Sequence, residues 1–289
     1  MTQPIYLHYT QAELDRNFDQ RGWVTNAEEV IARYGPLSDA TRARFKTKLD
    51  LRYGPSPDER LDLFLTDQPS APILVFVHGG RWQMFTKDNN AFVADPIVPA
   101  GAHVAVLNFS KLPAVRLPDM VDQVRRGIEW VWRNAASFGG DANRLYVSGH
   151  SSGAHLAGMA LATDWPARGL PADLIKGAAL VSGPYDLEPV MLSWRSDYVK
   201  LAPDEVPAHS PTLLTERFRC PVIVGWADGD TDEFRRQSAV FAEHVRRAGH
   251  LVEAIHVPGQ NHFEIMEQLG LPTSPIVQRL LRLMGLATG

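Results

Sequence analysis

The sequence has little of several features that place a protein in a specialised class. It has one cysteine, Cys220, in 289 residues, which excludes an internal disulfide and suits a reducing compartment. No apolar run approaches the ~20 residues of a membrane-spanning helix, and the N-terminus lacks the basic and apolar segments of a secretion signal. We therefore expect a cytoplasmic protein without membrane attachment.

An excess of charge of one sign is also absent. The formal net charge is −4, which offers no basic surface for nucleic acid. No H-E-x-x-H motif or cysteine cluster has metal-ligand spacing, so we predict no metal and no cofactor. The expected partner is a small-molecule substrate, and the neutral-to-acidic surface is compatible with a homodimer.

Apolar runs alternate with amphipathic segments along most of the chain, which is typical of an α/β fold with a mostly parallel sheet covered by helices on both faces. We expect one domain over residues 1–289. Strands are predicted at 61–66, 73–77, 103–109, 144–149, 176–182, 221–226 and 251–257. Helices are predicted at 88–99, 117–136, 152–163, 233–249 and 274–284.

Two segments are predicted to lie outside this repeating pattern. Residues 1–50 are polar and show helical spacing without a strand, so they are expected to form an N-terminal helical arm, with Asn26 capping one helix. Residues 183–214 are proline-rich and long for a loop. They are interpreted as an insertion that covers the site and helps to form its pocket.

The stretch Gly149-His-Ser-Ser-Gly153 follows a predicted strand and precedes a predicted helix. It has the G-x-S-x-G pattern of a nucleophile elbow, a tight turn that lifts a serine clear of the sheet. A serine hydroxyl is a poor nucleophile until a base removes its proton. Ser151 is the predicted nucleophile, although a glycine-rich loop without chemistry would match the same five residues. The neighbouring motifs must therefore decide.

Two adjacent glycines follow the strand predicted at 73–77, in His78-Gly-Gly-Arg-Trp82. This is an HGG-type motif, whose backbone N–H groups bind the oxyanion in lipases and esterases. We predict an oxyanion hole made by the N–H groups of Gly79, Gly80 and Ser152, the residue after the nucleophile.

Carboxylates and a histidine follow the last two predicted strands. Asp228 and Asp230 come after the first of these strands, and His262 comes after the second. Because active sites of open α/β sheets lie at the carboxyl ends of strands, these side chains are expected near Ser151. His262 is the predicted base. Spacing alone leaves both aspartates open as the acid that orients it.

Side chains close to these motifs and in the 183–214 insertion are predicted to line a substrate pocket. They are His78, Arg81, Trp82, His150, Trp194 and Tyr198. For His78 and His150, packing within the fold is the alternative interpretation.

With these motifs, the chain resembles the kynurenine formamidase (arylformamidase) branch of the α/β-hydrolases over nearly its whole length. The resemblance rests on residues 53–64, 78–83, 149–156, 233–238 and 261–263, which are similar to the family's sheet entry, HGGYW-Q motif, GHSAGGHL elbow, post-acid segment and base segment. It implies an α/β-hydrolase fold. It also implies that Asp230 is the acid, since the family's acid stands three residues before its Glu-Phe pair.

The chain departs from the family pattern at two positions. Arg81 stands where the family has the tyrosine of HGGYW, and Ala154 replaces the second glycine after the elbow serine. The guanidinium of Arg81 could bind a substrate carboxylate in bidentate fashion, or it could point into solvent. Both interpretations stay open.

The resemblance implies a serine hydrolase that forms an acyl-enzyme, with N-formyl arylamines such as N-formylkynurenine as the favoured substrates, in tryptophan breakdown. A carboxylesterase for small acyl esters would use the same machinery and is the alternative. A non-catalytic ligand receptor on this fold is a third hypothesis, which the complete set of motifs disfavours.

Overall fold

The computed structural model describes residues 3–287, so the two residues at each end of the predicted domain lie outside it. The strands are β1 (Lys46–Arg52), β2 (Arg60–Leu65), β3 (Ala71–Val77), β4 (His103–Leu107), β5 (Gly140–His150), β6 (Gly177–Val181), β7 (Val222–Gly229) and β8 (Leu251–Asn261). The α-helices are α1 (Gln11–Asn17), α2 (Gln20–Trp23), α3 (Ala27–Arg44), α4 (Leu117–Asn134), α5 (Ser152–Leu161), α6 (Glu188–Leu192), α7 (Ser196–Val199), α8 (Glu205–Ala208), α9 (Asp232–Arg247), α10 (Glu264–Gln268) and α11 (Pro275–Leu283).

The eight strands form one sheet in the order β1-β2-β4-β3-β5-β6-β7-β8. β1 and β2 run antiparallel to their neighbours, and every other pairing is parallel. The predicted mostly parallel sheet of an α/β-hydrolase is therefore confirmed. The parallel order brings the carboxyl ends of β3, β5, β6, β7 and β8 to the same edge, where the predicted site residues follow.

Helices cover both faces of the sheet. β3 is buried along its whole length, and its alternate side chains enter two different cores. Val75 packs in the core under α4, α5 and α9, whereas Phe76 packs in the core under α3 and α11. A strand buried on both faces is a continuous apolar run, which is why the sequence pattern identified it.

The expectation that residues 1–50 contain no strand is wrong, because β1 begins at Lys46. Its sequence, KTKLDLR, is mostly polar, and most of its residues are exposed, with only Leu51 packing against the core. β1 lies at the edge of the sheet and pairs only with β2, so it lacks the continuous apolar run of a central strand. Charged residues at an edge also discourage pairing with another chain.

The crossover helix predicted at 88–99 is also absent from the structure. The chain there forms two 3₁₀ turns, Lys87–Asn89 and Ala91–Ala94. Asn side chains compete for backbone hydrogen bonds, and here Asn90 Nδ2 donates to the carbonyl of Thr86 at 2.8 Å. Pro96 and Pro99 cannot continue a hydrogen-bonded helix, so the crossover remains short.

The N-terminal helices pack on the 183–214 segment, which contains the short helices α6, α7 and α8. The backbone N–H of Trp194 donates to the Asp15 carboxylate at 2.7 Å. The guanidinium of the buried Arg195 donates to the carbonyl of Phe18 at 3.0 Å. Within residues 3–287, no helix is both long enough and apolar enough to cross a membrane.

Candidate active site

Ser151 lies in a sharp turn between the end of β5 and the start of α5. Its φ is 56°, in the left-handed region that L residues rarely adopt, and such backbone strain costs of the order of 1–3 kcal/mol. The N–H of Ser151 donates to the carbonyl of Val181 at 2.8 Å, which anchors the turn on β6. A Cβ at Gly153 would lie 2.1 Å from the carbonyl oxygen of Val77, so only glycine permits this close approach.

The structure brings together the three side chains predicted as nucleophile, base and acid. His262 Nε2 lies 2.9 Å from Ser151 Oγ, and His262 Nδ1 lies 2.5 Å from Asp230 Oδ1. All three residues are buried, and Ser151 is 6% exposed. The imidazole can therefore accept the serine proton on one nitrogen while the other stays bonded to the carboxylate.

Asp230 is held in its ionised form by its neighbours. Burial alone would raise the pKa of this carboxyl, but the His262 ring, the Ser182 hydroxyl and the Ala227 N–H lower it below its usual range. Ser182 Oγ donates to Oδ2 at 2.6 Å, and the Ala227 N–H donates to the same oxygen at 2.9 Å. Both donors fix the carboxylate plane, which leaves Oδ1 for His262.

Asp228, the other aspartate that spacing left open, lies away from this cluster. Its side chain is 53% exposed and lies 3.2 Å from His256 Nε2 on the surface. Within residues 3–287, no backbone N–H and no hydroxyl donates to the Asp228 carboxylate as those of Ala227 and Ser182 do to Asp230. Geometry therefore separates the two aspartates, which spacing alone could not do.

The Gly79-Gly80 loop lies directly against the elbow. A Cβ at Gly79 would be 2.7 Å from the carbonyl oxygen of His150 and 3.0 Å from Ser151 Cβ. Gly80 has φ of 112°, and a Cβ there would be 2.2 Å from the carbonyl oxygen of Met84. A side chain at Gly79 would therefore collide with the elbow, and a side chain at Gly80 would collide with its own loop. Among residues 3–287, the N–H groups of Gly79, Gly80 and Ser152 donate to no protein acceptor, so they can bind a ligand oxygen.

His78 and Trp82 are not in the cavity, contrary to the pocket prediction. His78 is buried with its ring stacked on Phe109 at 4.3 Å, and its Nδ1 lies 2.8 Å from the carbonyl of Gly79. Because a peptide's C=O and N–H point in opposite directions, this contact turns the N–H of Gly80 away from His78. Trp82 is buried too, and its backbone N–H donates to Ser152 Oγ at 3.2 Å. Both residues support the loop instead of touching substrate.

A cavity opens beside Ser151. Of the predicted pocket residues, Arg81 and His150 line it. Trp194 and Tyr198 do not, since Trp194 packs on the far side of the Arg81 guanidinium and Tyr198 is directed inward. The full lining is Gln20, Arg21, Tyr34, Gly79, Gly80, Arg81, Met84, Phe85, Asn90, His150, Ser151, His262, Phe263 and Met266.

The N-terminal helices, and not the 183–214 segment, close this cavity. Gln20, Arg21 and Tyr34 come from α2 and α3, and no lining residue comes from 183–214. The predicted insertion over the site thus lies behind the arm, where Trp194 and Arg195 hold it. Sequence patterning identified the arm as helical but carried no signal of what the arm covers.

His150 borders both Ser151 and the base. Its ring centroid is 4.8 Å from that of His262, and its Nε2 is buried without a partner in the described part of the chain. Burial, and then the neighbouring His262, lower the pKa of His150 to about 3. The ring is therefore neutral at physiological pH and adds no positive charge beside the base.

Sequence reasoning missed several residues that contact the predicted site. Ser182 follows β6, so the rule that functional residues follow strand ends could have identified it. Tyr34 and Asn26 reach the site from a distant helix, for which the sequence offers no local signal. In residues 3–287 no group of three or more His, Cys, Asp or Glu side chains is arranged to hold a metal ion.

Curated relatives extend over almost the full chain. Kynurenine formamidase from Danio rerio is 34% identical, with 94% of this chain and 96% of that protein covered. Kynurenine formamidase from Salmo salar is also 34% identical, with the same coverage. A shorter similarity, 38% identity over 38% of this chain and 26% of the relative, links it to isoprenylcysteine alpha-carbonyl methylesterase ICME from Arabidopsis thaliana. A family model described as BD-FAE matches residues 61–167.

Solved structures agree on the fold. A protein from Silicibacter superposes with a TM-score of 0.81 at 24% identity, covering 92% of this chain and 97% of its own. An esterase from Pyrobaculum calidifontis superposes with a TM-score of 0.71 at 19% identity, covering 99% of both chains. Since the 34% identity to the curated relatives spans nearly the whole of each protein, this chain is a hydrolase that belongs to the kynurenine formamidase family of the α/β-hydrolases.

Proposed function

We propose that this protein hydrolyses N-formyl arylamines through an acyl-enzyme formed on Ser151. The observation that carries the proposal is the continuous hydrogen-bonded chain Ser151–His262–Asp230 at the wall of a cavity. The backbone N–H groups of Gly79, Gly80 and Ser152, which have no acceptor in the described part of the chain, lie on the segments that flank it. This combination is what acyl transfer to a serine requires.

The first half of the reaction forms the acyl-enzyme. Ser151 Oγ attacks the formyl carbon while its proton passes to His262 Nε2. The N–H groups of Gly79, Gly80 and Ser152 bind the oxyanion, and each such donor typically contributes about 10²–10³ in turnover. Asp230 stabilises the imidazolium and fixes its orientation.

The second half releases both products. His262 donates its proton to the departing nitrogen, so the C–N bond breaks and the amine leaves. Water then attacks the formyl ester with His262 as base, which frees formate and restores Ser151. An arylamine is a good leaving group for an amide because its nitrogen is weakly basic, so the demand on His262 as an acid is modest.

The cavity and the relatives support an aromatic substrate. Tyr34, Phe85 and Phe263 supply aromatic surface next to Ser151. The curated relatives that cover the chain are named for a formamidase of kynurenine, so N-formylkynurenine is the proposed substrate and tryptophan catabolism the proposed context. We further propose a cytoplasmic location, to which the single buried thiol of Cys220 is suited. Homodimer formation stays a prediction.

A carboxylesterase for small acyl esters is the second candidate. It is favoured by the partial similarity to a methylesterase, which extends over 38% of this chain. Ester cleavage needs the same nucleophile, base and oxyanion donors. A non-catalytic receptor would not need the hydrogen bonds that connect these three side chains.

The test compares N-formylkynurenine with p-nitrophenyl acetate, using the wild type and Ser151→Ala. We expect the wild type to hydrolyse the formamide with the higher kcat/KM. Ser151→Ala should lose on the order of 10⁶ in kcat, because the nucleophile is gone. Hydrolysis of the ester alone would favour the carboxylesterase, and full activity of Ser151→Ala would refute the mechanism.

The two aspartates provide a matched pair of controls in the same assay. Asp230→Asn should lower kcat by roughly 10⁴, since the histidine then loses the carboxylate that fixes its tautomer. Asp228→Asn removes an equal charge two residues away on the surface, and its kcat should equal that of the wild type. If Asp228→Asn lowered kcat and Asp230→Asn did not, Asp228 would be the acid of the triad.

A further inference from the structure

The residues on both sides of His262 are hydrogen-bonded to one N-terminal helix. Asn261 Nδ2 donates to Asn26 Oδ1 at 2.8 Å, and the Tyr34 hydroxyl donates to the carbonyl of Phe263 at 2.6 Å. Asn26 immediately precedes α3, and Tyr34 lies two turns further along it. The loop that carries the base is therefore fixed at both flanks by a helix 229–235 residues away in sequence.

Asn26 makes this contact instead of capping its own helix. Asn is a favoured N-cap residue, and a cap hydrogen bond typically stabilises a helix by about 1 kcal/mol. Here the Asn26 side chain makes no cap bond, and its Nδ2 donates to Glu264 Oε1 at 2.8 Å. The other oxygen of Glu264 accepts the N–H of Asn261 at 2.9 Å. Helix α3 forgoes its cap, and the side chain completes a closed set of hydrogen bonds around the base loop.

The N-terminal arm also contacts the acid loop. Asn17, at the end of α1, accepts the N–H of Glu233 at 2.9 Å, three residues after Asp230. Phe18 packs edge-on against Phe234 at 5.8 Å. Phe234 in turn packs edge-on against His262 at 5.2 Å. One segment, residues 11–44, thus touches both loops that set the Asp230–His262 hydrogen bond.

We infer that the N-terminal arm positions the Asp230–His262 pair, and that Tyr34 and Asn26 are positioning residues for the base. This inference rests on the proposed function, in which His262 must move a proton between Ser151 and the leaving group. Proton transfer depends steeply on geometry, and a misplacement of about 1 Å can cost roughly 10² in rate. The arm supplies the supporting hydrogen bonds that hold such a group in place.

Tyr34 allows a clean test of this role because its ring packs in the core while its hydroxyl makes the hydrogen bond to the base loop. The ring is 2% exposed and packs against Phe92 with centroids 5.5 Å apart. Burial raises the pKa of Tyr34 well above its ordinary value, so the hydroxyl remains a donor. Tyr34→Phe therefore removes the hydrogen bond to Phe263 and keeps the packing.

Arg33 provides a control on the same helix. Its guanidinium forms a bidentate pair with Glu267 at 2.7 and 2.9 Å, which also joins α3 to α10. This side chain is 42% exposed and bonds neither neighbour of His262. Arg33→Gln therefore weakens the attachment of the arm without releasing the base loop, and exposed pairs of this kind contribute about 0–1 kcal/mol.

The experiment measures kcat and KM for Tyr34→Phe, Asn26→Ala and Arg33→Gln on whichever of the two substrates above the wild type hydrolyses. The rate of Ser151 phosphonylation by a small fluorophosphonate is measured alongside. We expect kcat and the phosphonylation rate to fall together by roughly tenfold in Tyr34→Phe and in Asn26→Ala, with KM changed less than about twofold. Arg33→Gln should keep both rates, because Asn261 and Phe263 stay bonded.

Wild-type rates in a folded Tyr34→Phe would overturn the inference, as would an equal loss in Arg33→Gln. If Asn26→Ala does not fold, Tyr34→Phe alone tests the inference, because this substitution removes only the hydroxyl oxygen. Failure of the proposed function has a different signature. In that case the wild type hydrolyses neither substrate, or Ser151→Ala keeps its activity.

Discussion

Arg81 is the residue at which this chain departs most clearly from its family, and it lines the cavity that contains Ser151. Its φ of 57° and that of Trp82, 61°, place two consecutive residues in the left-handed region. This turn sends Trp82 into the core and leaves Arg81 half-buried at the cavity wall. The guanidinium lies 5.5 Å over the Trp194 ring, a favourable cation–π distance.

The charge on Arg81 has no carboxylate within ion-pair distance among residues 3–287. Its one polar contact is from Nη2 to Met84 Sδ at 3.4 Å. Arg21, the other arginine at the cavity, is paired with Glu28 at 3.3 Å. A half-buried, unpaired arginine in the lining of the cavity that contains Ser151 favours the interpretation that Arg81 binds a substrate carboxylate.

We predict that Arg81→Tyr raises KM for N-formylkynurenine about tenfold and leaves KM for formanilide, which has no carboxylate, unchanged. The reason is that a tyrosine cannot form the bidentate ion pair. Arg21→Gln is the matched control, and its smaller effect should follow from its existing partner. If Arg81→Tyr and the wild type had equal KM values for N-formylkynurenine, Arg81 would not bind the substrate carboxylate, and the interpretation that it points into solvent would be favoured.

At this scale the sequence predicts reactive atoms better than it predicts side-chain direction. Ser151 and His262 could be identified because each follows a buried strand, and family resemblance selected Asp230. Trp82 could not be placed, because its inward direction depends on two left-handed residues that no pattern announces. His78 was ambiguous for the same reason, since stacking on Phe109 is a contact between distant segments.

At the scale of elements, the elbow is defined by how closely α5 approaches the end of β3. A Cβ at Gly153 would lie 2.1 Å from the carbonyl oxygen of Val77 and 2.5 Å from that of His78. Both atoms are backbone of a buried strand and its extension, so they cannot move without shifting the sheet. The same strand end carries Gly79, which places nucleophile and oxyanion donors in one rigid unit.

We predict that Gly153→Ala costs several kcal/mol of unfolding free energy and most of the activity, because the methyl group forces α5 away from β3. Gly35→Ala is the control substitution of the same kind. A Cβ at Gly35, within helix α3, would meet nothing within 4 Å apart from its chain neighbours. The gain in helix propensity is offset by the contact of the new methyl group with the ring of Pro36, so the exchange should change the unfolding free energy by less than about 1 kcal/mol. Urea unfolding of both variants measures the contrast. A mild effect at Gly153 would mean that α5 can shift without cost.

Strands buried on both faces could be predicted from the sequence, whereas an edge strand that pairs with a single neighbouring strand could not. β3 could be recognised from its continuous apolar run, whereas the polar edge strand β1 could not. The start of helix α3 was identified at Asn26, although Ser38 was predicted to begin a second helix and lies within α3. The contact of this helix with the base loop could not be predicted, because the Asn26 side chain bonds a loop more than two hundred residues away in sequence. Local sequence patterns therefore predict that an element forms, but they do not predict which distant segments it contacts.

At the scale of the whole molecule, the fold buries histidines that surround the site. Burial lowers the pKa of His78 to about 4, and it lowers the pKa values of His150 and His155 to about 3. His155 shows why the neutral ring is favoured. Its Nδ1 accepts the Trp82 indole N–H at 3.4 Å, while its Nε2 lies 2.8 Å from the carbonyl of His209. Protonation would remove the acceptor that Trp82 uses.

These three histidines predict a loss of stability in mild acid. In the unfolded chain they take up protons near pH 6.5, whereas the folded protein does not until near pH 3–4. Their contribution is therefore present in full above about pH 6.5 and is lost as the pH falls towards the folded pKa values. Each histidine should cost about 2 kcal/mol of unfolding free energy between about pH 7 and pH 5.

Urea unfolding at several pH values across this window measures the slope. His155→Gln should reduce the slope by the equivalent of one proton, about 1.4 kcal/mol per pH unit, even if the variant is less stable at every pH. A wild-type slope near zero would mean that the folded protein protonates these rings after all. The inference that the His150 ring, beside the catalytic base, is neutral would then also be wrong.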